Sequence, residues 1–197
     1  SLSVSSGPIG VPFTITGTGF GTYGGANTVV QVGGVSAPLS VWNDTTISGT
    51  IPGLSTGTYG VVVERISGAS ISSAAIGSFA VLPLSPTGFT PSSGTIGAAF
   101  AITGSAFGPY AGSLTRVLFD GTAASLSVWN DTHINGTVPA LSTGTHAVWI
   151  ERAAAGGGLQ SSDTAYFTVV APSPTGFTPK QIIQFREQIK VVCVIVK

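Results

Sequence analysis

The segment SGPIGVPFTITGTGFGTY that begins at Ser6 returns as SGTIGAAFAITGSAFGPY from Ser93, and SVWNDTTISGTIPGLSTGTY from Ser40 returns as SVWNDTHINGTVPALSTGTH from Ser127. Both pairs are offset by 87 residues, so most of this 197-residue chain is one unit written twice. A unit that recurs at a constant offset folds the same way each time, and the repeat governs every later assignment. Glu64-Arg65 recurs as Glu151-Arg152; a one-residue slip then brings Phe79 onto Phe167 and SPTGFTP at Ser85 onto SPTGFTP at Ser173. The second SPTGFTP opens a third copy that does not continue, because after Pro179 the chain reads KQIIQFREQIKVVCVIVK. The expected division is a first domain over 1–84, a second over 85–171, and a linker with a tail over 172–197.

Within each copy apolar residues alternate with polar ones, as in Phe13-Thr14-Ile15-Thr16 and Phe100-Ala101-Ile102-Thr103. A period of two puts Phe and Ile on one face of a strand. The pattern recurs at Val30/Val32, Leu39/Val41, Ile47/Ile51 and Tyr59/Val61/Val63, separated by Gly, Asn-Asp and Pro-Gly punctuation. Neither copy holds an amphipathic helical window. The fold class is therefore all-β, two tandem immunoglobulin-like β-sandwiches followed by a strand-like C-terminal tail. The sole cysteine, Cys193, permits no internal disulfide, so each core rests on packing, with Trp42 and Trp129 expected as its largest contributors.

Taken together, the Gly-rich first hairpin (TITGTGFG at Thr14, AITGSAFG at Ala101), the stretches Val30 to Gly34 and Val117 to Gly121, the W-N-D-T-x-I segments and the following L-S-T-G-T resemble the IPT/TIG domain. The resemblance covers nearly all of residues 1–171, twice. It implies an immunoglobulin-like fold of the plexin and transcription-factor type, found in bacterial surface proteins, in receptor ectodomains and beside carbohydrate-active domains. It implies no single activity.

Charge removes several classes of function. Charged residues are 7% of the chain, against about 25% in an average soluble domain, and seven cations balance seven acids. No basic field exists to neutralise phosphates, so nucleic acid is not an expected partner. The longest aliphatic run, Val191 to Val196, is far short of the ~20 residues of a membrane span. No CxxC, mixed His/Cys cluster or D-x-D-x-D-G loop is present, and neither a metal nor a cofactor is expected. The chain opens at Ser1 with no leader segment, as a processed form or an excised fragment does.

Catalysis finds little to work with. A triad can be drawn from Ser142, His146 and Asp131, but the first copy has Thr46 and Tyr59 where the second has His133 and His146. The fold thus builds these positions without imidazole. The six acids of the two copies are scattered, and Asp44 and Asp131 sit in a repeated N-D-T turn where a short acid caps backbone amides. The expectation is a protein that is not an enzyme.

Other residues carry candidate contacts. Glu64, Arg65, Glu151 and Arg152 end the Val-rich strand of each copy, either as a solvated strand end or as a repeated inter-domain or inter-subunit ion pair. Asn43, Asn130 and Asn135 match the N-x-[ST] glycosylation pattern. Val29, Val62, Leu118 and Trp149 are apolar positions off the expected core face, which points to a surface suited to packing against its own kind. In the tail Ile183, Phe185, Ile189, Val191, Cys193 and Ile195 fall on one face of an extended strand, with a helix over 181–190 as the rival and foreign sequence in a truncated third copy as the bland alternative. The two copies hold three cations against six acids, and the tail four against one, so the molecule is polarised. A free apolar edge is an aggregation hazard unless paired or donated to a neighbour. The leading expectation is an extracellular or cell-surface structural protein that forms a homo-oligomer or homopolymer, a filament, sheath or layer, by strand donation. The alternative is an adhesin stalk or a module that binds glycan or host protein, cut from a longer secreted protein. An accessory domain of a secreted hydrolase is a third.

Overall fold

In the computed structural model, which describes residues 1–67 and 70–173, the alternating segments are strands and they occur twice in the same order. The first copy comprises β1 (Ser6–Gly7), β2 (Pro12–Thr16), β3 (Thr28–Val32), β4 (Val35–Ser36), β5 (Leu39–Trp42), β6 (Thr46–Thr50), β7 (Gly57–Ser67) and β8 (Ser70–Val81). The second comprises β9 (Ser85–Thr90), β10 (Ser93–Gly94), β11 (Ala99–Ser105), β12 (Thr115–Phe119), β13 (Thr122–Ala123), β14 (Ser125–Trp129), β15 (His133–Thr137), β16 (Gly144–Ala153), β17 (Leu159–Ser161) and β18 (Ala165–Val169). Helical geometry among the described residues is confined to the short 3-10 turns Gly25–Asn27 and Gly112–Leu114.

Each copy is a two-sheet sandwich. In the first, the sheet β1-β8-β7-β3-β4 faces β2-β6-β5; in the second, β10-β18-β16-β12-β13, with β17 added to β16, faces β14-β15-β11-β9. The short β1 runs parallel to β8 and β10 parallel to β18, closing each sheet with the segment that has just crossed from the other. Phe13, Ile15 and Ile47 meet Val30, Val32, Val61, Val63 and Phe79 in the first core, all buried. In the second core the rings of Phe89, Phe100, Phe119 and Phe167 cluster with centroids 5.5–6.2 Å apart, edge-on or tilted as aromatic quadrupoles prefer.

Burial departs from the sequence reading in three places. Trp42 and Trp129 are only half-buried and lie beside the cores, not in them. A register shift in β5 between Leu39 and Val41, mirrored in β14 between Leu126 and Val128, breaks the alternation and leaves Val41 and Val128 exposed. Leu118 is buried, whereas Val29, Val62 and Trp149 are half-buried.

The N-D-T turn explains the local geometry of both copies. The Asn43 side-chain oxygen accepts from the Thr45 and Thr46 amides, as that of Asn130 does from Thr132 and His133. Asp44 and Asp131 each accept from a loop amide 3.0 Å away, that of Gly21 and of Gly108. These turns pin the loops that carry Phe20 and Phe107.

His146 shows how a repeat position changes chemistry without changing fold. Its Nδ1 lies 2.8 Å from Asp120 Oδ2 and its Nε2 2.8 Å from the Ser142 carbonyl oxygen. An acceptor on each ring nitrogen favours the imidazolium, so the Ser142 carbonyl first and Asp120 second raise the His146 pKa above its ordinary value. The His146 bond and the Ala147 amide lower that of Asp120. In the first copy the Tyr59 hydroxyl donates to the matching Ser55 carbonyl at 3.1 Å, and Gly33 replaces Asp120. Both Gly33 (φ 57°) and Asp120 (φ 46°) are left-handed, a conformation that costs a non-glycine residue more. The His146 contribution is complete below about pH 6.5 and is lost as pH rises through the raised value; that of Asp120 holds above the ordinary carboxylate range and is lost as pH falls through its lowered value. The melting temperature of the chain is therefore expected to fall between about pH 6 and about pH 9, and the double substitution Asp120→Gly, His146→Tyr to flatten that fall in calorimetry at both pH values.

Candidate functional site

Two arrangements stand out, a joint between the sandwiches and a duplicated aromatic surface. The joint centres on Arg152, which is 0% exposed although it is a charged residue. Its Nε donates to the Ile9 carbonyl of the first domain, and its Nη1 to the carbonyls of Phe107 (3.0 Å) and Pro109 (2.7 Å) of the second. A guanidinium is a planar fork, suited to collecting oxygens on both sides of an interface. Gln160, opposite Arg152 across β16 and β17, donates to the Leu82 carbonyl at 2.9 Å and accepts from the Ile9 amide at 3.2 Å. Burial pulls the Arg152 pKa below the ordinary guanidinium value, the Asp131 carboxylate opposes the shift, and the group stays charged. Nη2 has no hydrogen-bond partner among the described residues.

The hairpin between β16 and β17 completes the contact. Ala154 is buried within the core cluster of the first domain. Gly53 approaches Gly157 and Gly158 so closely that a Cβ at Gly53 would run into the Gly157 carbonyl. Pro8, Ile9 and Pro52 on one side and Phe107, Gly108 and Arg152 on the other are all buried.

The aromatic surface occurs once per domain. Tyr23 and Tyr110 are each 59% exposed, and their rings lie 6.3 and 6.4 Å from those of Trp42 and Trp129. Trp42 Nε1 donates to the Phe20 carbonyl and Trp129 Nε1 to that of Gly108, which fixes both indoles. In the second domain Tyr110, Leu126, Ser127, Val128 and Trp129 line a groove of about 240 Å3.

The remaining candidates are placed as follows. Glu151 pairs with Arg116 at 2.7 Å across β12 and β16, and Glu64 accepts from Gln31. Arg152 does lie between the domains, but its partners are backbone carbonyls rather than acids; Arg65 is exposed and donates to Phe20. Asn43 and Asn130 are exposed in their turns, and Asn135 is half-buried in β15. His146 meets the Ser142 backbone and Asp120, so Asp131, which holds Gly108, is not part of a triad with it. Ile183, Phe185, Ile189, Val191, Cys193 and Ile195 lie outside the described residues. Among the described residues no group of three His, Cys, Asp or Glu side chains converges on a metal site, and no helix is long and apolar enough to cross a membrane. The sequence reading missed Gln160 and the glycine tip; the signal available was their absence from the first copy, where Ser72 faces Arg65.

The family model described as the IPT/TIG domain matches residues 1–79 and again residues 84–169. The chain belongs to the IPT/TIG family. Two structures of the plexin A4 extracellular region resemble its tandem IPT/TIG domains in fold: one has a TM-score of 0.54 at 17% identity, covering 86% of this chain and 18% of that one. The other has a TM-score of 0.53 at 17% identity, covering 87% and 15%. This chain therefore spans less than a fifth of either plexin chain. The Bacteroides ovatus surface glycan-binding protein SGBP-B, solved with a mixed-linkage heptasaccharide, aligns at a TM-score of 0.34 and 18% identity, over 85% of this chain and 43% of that one. No curated protein matches the IPT/TIG chain in sequence.

Arg152→Ala leaves the buried Ile9 and Phe107 carbonyls without their donor, a loss of about 1–3 kcal/mol per unsatisfied group if no water enters, while the exposed Pro109 carbonyl turns to solvent. The expected result in urea titration is an early transition that uncouples the domains. Arg152→Lys should not restore the single transition, because one ammonium cannot serve acceptors spread as a fork.

Proposed function

We propose that this chain is a non-enzymatic stalk segment of an extracellular or cell-surface protein, in which successive IPT/TIG domains are locked end to end. The observation that carries the reading is the buried Arg152 and Gln160 joint, since inter-domain motion is the default unless the interface resists it. The fold likeness to the plexin A4 extracellular region and the low charge agree with that location. A stalk needs each domain to transmit orientation to the next, and side chains bonded to both domains do so. Nitrogen-15 relaxation tests it: the two domains should tumble with one correlation time, and Arg152→Ala with Gln160→Ala should make them tumble separately. Independent tumbling of the unaltered chain would sink the reading.

A second reading, binding of glycan, is favoured by the duplicated Tyr–Trp surface. Pyranose rings stack on exposed aromatic faces, and two such faces on a fixed frame give an extended polysaccharide two points of attachment. Affinity electrophoresis in gels containing soluble β-glucans or α-glucans should show retardation with at least one of them, lost on Tyr23→Ala with Tyr110→Ala. Retardation unaffected by that pair, or none with any glycan, counts against it. Self-assembly by strand donation from Ile183 to Ile195 rests on residues outside the described ones, and nothing among the described residues carries it.

A further inference from the structure

Comparing each residue with its counterpart 87 positions away maps the joint. Arg152 is fully buried and Arg65 exposed; Phe107 is 0% exposed and Phe20 half-buried; Ile9 is 0% exposed and Ile96 54% exposed. Each domain thus has a donor end, carrying the arginine, and an acceptor end, carrying the Ile-Gly turn. In this chain one of each is used.

The unused ends keep the geometry of the used ones. Arg65 Nη1 donates to the Phe20 carbonyl at 3.1 Å, as Arg152 Nη1 does to Phe107 at 3.0 Å. Gly21 and Gly108 lie under the two guanidiniums so closely that a Cβ at either would crowd the arginine. The Ile-Gly turn is the same at both acceptor ends, with φ of 73° at Gly10 and 79° at Gly97. Around Arg65 a groove of about 500 Å3 is lined by Gly19, Thr28, Ile66 and Ser72 among others.

We infer that the Arg65 groove is the donor half of a second joint, and that it docks the Ile96-Gly97 turn of a second copy of this chain. Arg65 then reaches the Ile96 carbonyl as Arg152 reaches that of Ile9, and the exposed Ile96 side chain is covered. The contact is head-to-tail, so each copy keeps one free donor end and one free acceptor end for further copies. It assembles copies through described residues, without the tail. It is also weaker than the internal joint. Ser72 stands where Gln160 makes two bonds across the interface, and Ala140 stands where Gly53 permits the closest backbone approach.

The inference rests on the locked-stalk reading, and one experiment separates their failures. Two copies are joined in a single chain, residue 175 of the first to Ser1 of the second, so that the linker repeats the SPT approach to the second domain. Tethering raises the effective concentration to the order of millimolar, enough for a weak contact to form. Hydroxyl-radical footprinting then reads Ile96 and Ile9 in the same sample. Docking should lower Ile96 labelling per copy to about half that of the single chain, because one of the two turns is covered, while Ile9 stays protected. Arg65→Ala in the second copy, an exposed position whose loss leaves the fold intact, should return Ile96 labelling to the single-chain level. Unchanged Ile96 labelling with Ile9 protected overturns this inference alone, as does protection of Ile96 that survives Arg65→Ala. Strong labelling of Ile9 in both chains overturns the stalk reading as well.

Discussion

A guanidinium taken out of water must find oxygen atoms, and in this protein the oxygens come from two domains. Arg152 Nε and Nη1 find theirs where the Ile9 carbonyl of the first sandwich is brought to the Phe107 and Pro109 carbonyls of the second. The requirement reaches back through the structure. Phe107 is held by the Asp131 turn, that turn is shaped by Asn130, and Asn130 belongs to the segment that also places Trp129. A break anywhere along this path moves the carbonyl that receives the arginine.

The two copies act as controls on each other. Where they agree, in the N-D-T turn, the Phe-Gly step of the loop and the arginine that donates to the Phe carbonyl, one local geometry is built twice. Where they differ, the local task differs. The first copy runs β7 and β8 as one long hairpin, while the second inserts a glycine tip and Gln160 that reach the neighbouring domain. Tyr59 and His146 serve one carbonyl position by two chemistries, one of them sensitive to pH. A chain with so few charges places two of the three arginines of its paired domains at the same repeat position, and the third, Arg116, pairs with Glu151.

Much of the fold was legible because alternation and the repeat are local signals. Phe13, Ile15, Phe100 and Ile102 follow from period two alone, whereas the N-D-T turn is capped by Asn43 and Asn130, and Asp44 and Asp131 reach instead to loop amides 23 residues earlier. The tryptophans were not legible, because a bulge in β5 and β14 turns the end of the strand out of phase with the core. Their half-burial beside Tyr23 and Tyr110 leaves an aromatic surface on each domain, and periodicity cannot foresee a bulge. The Glu-Arg pairs were marked out as candidates for contact between domains, yet the contact is to carbonyls, which every sequence position carries alike and which therefore leave no trace in composition.

By itself the sequence determined that this protein carries two copies of one sparsely charged β-sandwich, since a repeat and an alternation need nothing beyond the order of residues. Tertiary structure decided which of two identical-looking arginines is buried. Arg65 and Arg152 sit in the same local sequence and hold the same loop carbonyl, and they differ only because a neighbouring domain covers one of them. Solvent exposure belongs to what packs on a surface, and that depends on contacts between residues 143 positions apart, as between Ile9 and Arg152.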